Sequence, residues 1–122
     1  MYEISRYNDV NILGTSHLLD FLANNKNSVK KLIIASSRSI YGEGKYKCEN
    51  HGVVYPNDRI VSNMMKGKFD LFCDACGSEL NLMPTDENSK IHPSSIYGIT
   101  KQQQEQMILL MGKSLGIPAV AL

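Results

Sequence analysis

All three cysteines of this chain lie in one stretch, Cys48-x-x-His51 followed by Cys73-x-x-Cys76-Gly77, and that spacing restricts the fold more than any other feature. Two residues between the members of each pair let both reach one tetrahedral ion from a tight turn. The 21 residues separating the pairs suit a ribbon-like closure. Gly77 permits the turn that aims backbone amides at the preceding thiolate. The surrounding segment, residues 43–90, is polar, carries scattered Gly and Asn, and has no helix or strand periodicity of its own. A structureless loop of that length is unusual in a compact domain, so the segment needs an internal staple. Four soft N/S ligands fill a tetrahedron and leave no open position, which predicts a structural zinc rather than a catalytic one. The alternative is three unconnected cysteines and a surface histidine, which leaves the pairing of every cysteine to chance. His51 is the most replaceable member, since a water or an outside residue could stand in for it. His17 and His92 fit no ligand spacing and read as a helix-flank and a loop residue.

The flanks follow a different pattern. Val10, Leu13, His17, Leu18, Phe21 and Leu22 recur at helical spacing and predict a helix over roughly residues 9–24, ended by Asn24-Asn25-Lys26-Asn27. Lys31-Leu32-Ile33-Ile34-Ala35-Ser36 is a short apolar run suited to a strand buried in a parallel sheet. A second helix is predicted from about Ser95 to Leu115, stopped by Gly116 with Pro118 two residues on, and Ala119-Val120-Ala121-Leu122 begins another strand. Helix, strand, helix, strand is a segment of a doubly wound, Rossmann-like α/β sheet. Residues 1–42 and 91–122 then belong to one α/β domain, interrupted by the zinc-ribbon-like insertion at 43–90.

Charge and composition narrow the function classes. The net charge is +1, and residues 43–90 carry six Lys/Arg against eight Asp/Glu, a formal −2. The basic and aromatic residues Lys45, Tyr46, Lys47, Lys66, Lys68 and Phe69 therefore read as solvated surface, and no nucleic-acid partner is expected. No apolar run approaches ~18 residues, so no membrane span is expected. The N-terminus lacks the apolar core of a secretory signal, and an odd cysteine count argues for reduced thiols, hence a cytoplasmic chain.

The chemistry-bearing residues lie in Pro93-Ser94-Ser95-Ile96-Tyr97-Gly98-Ile99-Thr100-Lys101 and in Ser36-Ser37-Arg38-Ser39-Ile40-Tyr41-Gly42. Tyr97 and Lys101, at i and i+4, share a helix face. A free tyrosine ionises near ~10, and a fixed positive charge favours the phenolate, so such a pair can take a proton from a sugar or alcohol hydroxyl. Ser37, at the carboxyl end of the predicted strand, stands where open parallel sheets collect functional groups. Tyr-x-x-x-Lys by itself also occurs as a packed tyrosine beside a snorkelling lysine. The helix start at Pro93-Ser94-Ser95 and the strand-end serine are what favour the catalytic reading.

These residues resemble the extended short-chain dehydrogenase/reductase family, which contains the NAD-dependent nucleotide-sugar epimerases and dehydratases. Asn11-Ile12-Leu13-Gly14-Thr15 with Leu18-Leu19 is similar to the family's helix before the catalytic strand; Gly14 there serves close packing or is simply a tolerated helix glycine. Ser36-Ser37-x-x-x-Tyr41-Gly42 is similar to its serine strand, and Thr85-Asp86-Glu87 with Pro93 to its approach to the tyrosine. Ala35 through Gly44 together with the cysteine insertion resembles a subgroup that includes dTDP-L-rhamnose 4-epimerases. The resemblance implies Tyr97 as general acid/base, and Lys101 as the group that tunes it and binds the nicotinamide ribose. It implies that Ser37 holds the reacting hydroxyl, that Asn11 lines the cofactor side, and that Tyr41 packs near the cofactor. The implied cofactor is NAD, the substrate a dTDP- or UDP-hexose, and the assembly a homodimer built on the paired helices, to which the apolar run Met107-Ile108-Leu109-Leu110-Met111 would contribute. Ser37-Arg38-Ser39 leans toward epimerase over dehydratase. No glycine-rich dinucleotide turn and no C-terminal substrate region occur in these residues, so the chain is expected to be an enzyme fragment, inactive and without measurable NAD binding alone. The competing expectation is a non-catalytic, zinc-stabilised binding or interaction module.

Overall fold

A computed structural model describes residues 3–122, which divide into two compact units, residues 3–40 with Ser95–Leu122 and, separately, Tyr41–Ser94. In chain order the elements are α1 (Ile4–Tyr7), a π-helical turn (Asn8–Leu13), α2 (Gly14–Asn24), β1 (Leu32–Ile34), a 3-10 turn (Arg38–Tyr41), β2 (Tyr46–Cys48), β3 (Gly52–Val54), α3 (Val61–Met64), β4 (Asn81–Leu82), α4 (Ile96–Leu115) and β5 (Ala119–Ala121). The architecture is mixed α/β, with a parallel sheet in the first unit and an antiparallel one in the second. Among the described residues no helix is long and apolar enough to cross a membrane.

In the first unit the helix predicted over residues 9–24 starts at Ile4, and the joins between α1, the π turn and α2 keep right-handed helical dihedrals. Its buried face also differs from the predicted one. Thr15, Leu19 and Leu22 are buried, whereas Val10, Leu13, Leu18 and Phe21 of the apolar stripe are exposed. The π turn accounts for this. A residue advances about 100° on an α-helix, so each four-residue step overshoots the face by about 40°. Tyr7, Asn11, Thr15 and Leu19 follow such steps. The Gly14 N–H reaches back five residues to the Asp9 carbonyl, and this wider turn brings them back into line. Gly14 itself is exposed, and a Cβ there would meet only the Asp9 carbonyl at 3.7 Å, so close packing against a neighbour is not its role.

Helix α4 begins and ends as its sequence predicts. Ser95 has extended backbone and its Oγ accepts the Gly98 N–H at 3.0 Å; Gly116 closes the helix in the left-handed conformation, φ 67°. Thr100, Gln104, Ile108 and Gly112 form its buried line. Strands β1 and β5 pair in parallel with Leu32 opposite Ala119 and Ile34 opposite Ala121. Leu32 packs with Leu19, Leu22 and Ile108, and Ile34 and Ala119 border that cluster, so the helices cover one face of the sheet. Ile33, alternating to the other face, is exposed.

Gly112 sets how closely α4 approaches β5. A Cβ there would lie 2.6 Å from the Ala119 Cβ and 2.8 Å from the Ile117 carbonyl oxygen. The Ile117 N–H bonds back to the Gly112 carbonyl at 2.8 Å, so the neighbour cannot step aside freely. Gly112→Ala should therefore destabilise the chain by about 1–3 kcal/mol despite alanine's better helix propensity. Gly14→Ala, with room for the methyl, should be neutral or stabilising. Thermal unfolding of the two variants beside the parent measures both signs.

The second unit has more regular structure than its sequence pattern suggests. Strands β2 and β3 form a hairpin with Tyr46 opposite Val54 and Cys48 opposite Gly52, and β4 pairs along the other edge of β2. Tyr46, Cys48, Leu71, Cys73 and Leu80 form its core, with Val54 packed against them. Two of those five residues are cysteines, so little apolar area is available to hold Tyr41–Ser94 folded. Glu43 and Arg59 form an ion pair beside this core, and Arg59 Nε donates to the Phe69 carbonyl at 2.9 Å.

Candidate functional site

The two cysteine pairs sit on two turns of the second unit. Cys48 ends β2 and His51 precedes Gly52, whose φ of 70° turns the chain into β3. Cys73 and Cys76 occupy a second turn, closed by the Gly77 N–H on the Cys73 carbonyl at 2.7 Å and the Cys73 N–H on the Ser78 carbonyl at 2.8 Å. Gly77 has φ 70°, the conformation expected for the residue after the last ligand. The Sγ atoms of Cys48, Cys73 and Cys76 and a ring nitrogen of His51 all lie within 4.8 Å of one another.

These distances fit a tetrahedral metal. Cys48 Sγ is 3.6 Å from Cys76 Sγ and 3.5 Å from His51 Nδ1, and Cys73 Sγ is 3.7 Å from that nitrogen. Tetrahedral zinc, with bonds of ~2.3 Å to sulfur and ~2.0–2.1 Å to nitrogen, requires S···S separations of about 3.8 Å and S···N of about 3.6 Å. The cluster could hold such an ion. The Ser78 hydroxyl and backbone N–H and the Asn50 amide surround Cys76 Sγ and hold its thiol down to about 5. Burial pushes the Cys48 thiol up, against backbone N–H groups of Asn50 and His51 that stabilise its thiolate. Donors aimed at sulfur are the usual surroundings of a thiolate ligand.

In the first unit the chemistry-bearing residues gather at the start of α4. The Ser95 cap places Tyr97 in the first turn, 37% exposed, with its ring edge-on to Tyr7 at 5.7 Å between centroids. Below it runs a polar seam between the first helix and α4. Asn11 Nδ2 donates to Thr100 Oγ1 at 3.0 Å, and that hydroxyl donates to the Tyr97 carbonyl at 2.9 Å. One turn on, Lys101 Nζ donates to Gln104 Oε1 at 2.9 Å, and Gln104 Nε2 donates to Thr15 Oγ1 at 2.8 Å. Ser36 Oγ donates to Glu105 Oε2 at 2.5 Å, tying the end of β1 to α4.

Ser37, Tyr97 and Lys101 are all in this unit, yet no hydrogen bond joins their side chains to one another. Ser37 Oγ pairs with Ser39 Oγ at 3.1 Å and accepts the Ser39 N–H at 3.1 Å. Lys101 is engaged with Gln104, and Asn11 with Thr100. Thr15 and Thr100 lie within the motif segments without a role of their own there, and Gln104 lies outside them. Their signal is nonetheless present: polar side chains at four-residue steps on each helix, on faces that continue as Leu19 and Ile108. In the second unit, Lys45 is bound to Asp86 at 2.9 Å, which raises the lysine and lowers the carboxylate from their usual ranges. His92 Nε2 is buried without a hydrogen-bond partner among the described residues, its ring edge-on to Tyr55 and against Gly42.

Over 107 residues the chain is 29% identical to a dTDP-L-rhamnose 4-epimerase of Burkholderia thailandensis, covering 87% of this chain and 28% of that protein. The chain thus spans about 28% of the length of the curated relative it matches. The match supports a resemblance to the epimerase family. No protein-family model matches the chain, and no solved structure matches it at a significant level.

Proposed function

We propose that this chain is the central catalytic segment of an NAD-dependent nucleotide-sugar 4-epimerase, carrying a zinc-stabilised insertion in a Rossmann-like domain. The observation that carries the reading is Tyr97, exposed in the first turn of α4 one turn before Lys101, within a chain that matches an epimerase over 107 residues. Tyr97 is the general acid/base: its phenolate takes the proton of the sugar C4 hydroxyl and later returns it. Lys101 has three N–H donors and spends one on Gln104, which leaves two for a ribose hydroxyl and for favouring the phenolate. Ser37 orients the reacting hydroxyl, exchanging its bond to Ser39 for one to substrate. Asn11, engaged with Thr100, holds the cofactor-side helix in place. Bound NAD would supply the hydride acceptor and donor. Cys48, His51, Cys73 and Cys76 hold zinc as a closed structural site.

Turnover tests this. Joined to a complete dinucleotide- and sugar-binding region and given NAD+ with a dTDP- or UDP-linked hexose, the chain should interconvert the sugar with its C4 epimer. Loss of water from the sugar would reassign it as a dehydratase. No reaction would favour the non-catalytic zinc module, the reading to which the unlinked Ser37, Tyr97 and Lys101 side chains lend support.

The exposed apolar side chains of the two helices bear on assembly. Val10, Leu13, Leu18 and Phe21 on the first helix and Leu109 and Leu110 on α4 exceed what a solvated surface needs. We assign them to a homodimer interface. Sedimentation should give a dimer at micromolar concentration, and Phe21→Glu with Leu110→Glu should give a monomer. A parent chain that sediments as a monomer excludes this assembly.

A further inference from the structure

We infer that Gln104 is a positioning residue, whose buried side-chain amide, anchored by Thr15, fixes the Lys101 ammonium. The inference rests on the reading of Tyr97 and Lys101 given above. Gln104 and Thr15 are each 7% exposed, so neither can exchange its partner for water. The chemistry of the partners sets the orientation of the amide. An ammonium only donates, so the face of Gln104 toward Lys101 has to be the carbonyl oxygen; the amide nitrogen is left to donate, and the Thr15 hydroxyl oxygen accepts. Turning the amide over would set an NH2 against the ammonium and leave two buried donors unpaired. The Lys101 side chain, otherwise free to rotate about four bonds, is thereby held at one point on α4 with two donors unspent.

The neutrality of Gln104 matters as much as its burial. A carboxylate at this position would hold the ammonium as well or better, but its negative charge beside Nζ would offset the ammonium's positive field. Glutamine holds the lysine without cancelling it. Two functions are thus separable by substitution: Gln104→Leu removes the anchor, and Gln104→Glu keeps the anchor while cancelling the field.

The first readout needs no cofactor. In the full 122-residue chain, NMR relaxation of the lysine 15Nζ groups should show the Lys101 ammonium ordered, with Lys101→Met identifying its signal. Gln104→Leu should reduce that order to the level of the exposed Lys113, and Gln104→Glu should retain it. Should Gln104→Leu fail to fold, Thr15→Val, which removes only the anchor of the amide, should lower the order part of the way. Lys101 order unchanged in the Leu variant, or unchanged in the Val variant where Leu does not fold, overturns the inference. The second readout is C4 turnover in the longer protein. Gln104→Glu should lower kcat with KM for the sugar nucleotide little changed. An unchanged kcat overturns the charge argument. Loss of Lys101 order in a protein with no epimerase turnover would instead sink the functional reading and leave the positioning intact.

Discussion

Removing zinc should unfold residues Tyr41–Ser94 and leave α4 helical. The second unit has a hydrophobic core cluster of only five buried residues, two of them Cys48 and Cys73 of the Cys/His cluster. Structural zinc bound by such ligand sets contributes on the order of 10 kcal/mol in apparent terms, more than a core this small can replace. Without the ion the two turns are joined only by side-chain contacts, chiefly the Asn50 amide on Ser78 Oγ and Cys76 Sγ, which are weaker than metal–ligand bonds. Purified from zinc-replete medium, the protein should carry about one equivalent per chain, bound through three sulfurs and one nitrogen. A chelator, or Cys73→Ser, should collapse the amide spectrum of the second unit to the dispersion of a disordered segment. Signals from Ile96–Leu115 should persist, because the cap, the Leu32–Ile108 cluster and the Gly112 contact all belong to the first unit. Protein that contains no zinc yet keeps the second unit folded would remove the metal from the account.

Replacing Tyr97 by Phe should abolish most turnover while sparing the fold. The substitution deletes one oxygen from a partly exposed side chain, and the edge-on contact with Tyr7 depends on the ring alone. Helix α4 should be unaffected, since its start is set by Ser95 and its end by Gly116. A proton-transfer group of this kind contributes typically about 10²–10⁴-fold, and that is the expected fall in kcat with cofactor affinity retained. The check is paired: steady-state turnover of the nucleotide sugar and NAD+ binding by titration, both in the longer protein. Full activity in Tyr97→Phe would remove the central assignment.

Several features of this molecule depend on contacts between near neighbours in the chain, and these are legible in the sequence. The two-residue gaps of Cys48/His51 and Cys73/Cys76 bring the members of each pair together through turns of a few residues, and Gly77 supplies the conformation such a turn needs. Ser95 and Gly116 bound α4 through caps whose bonds span three or four residues, so the sequence alone assigns Tyr97 to the first turn. Strands β1 and β5 are apparent from short apolar runs between breaking residues, though not which of their residues face the helices.

What only the tertiary structure decided is which surfaces meet. Periodicity points to Val10, Leu13, Leu18 and Phe21, yet the π turn rotates the first helix so that Tyr7, Asn11, Thr15 and Leu19 face α4. A hydrophobic period of 3.6 cannot anticipate a turn that holds an extra residue. The partners Asn11–Thr100 and Thr15–Gln104 are 89 residues apart, and polar side chains become a buried seam only once one helix is laid against another. Lys101 can be identified by its spacing from Tyr97, but the atom that holds its ammonium cannot. Sequence determines each Cys/His pair and the helix caps because their geometry closes within a turn; the seam is decided by packing, since each of its polar groups avoids an unpaired burial only through a partner that the fold delivers.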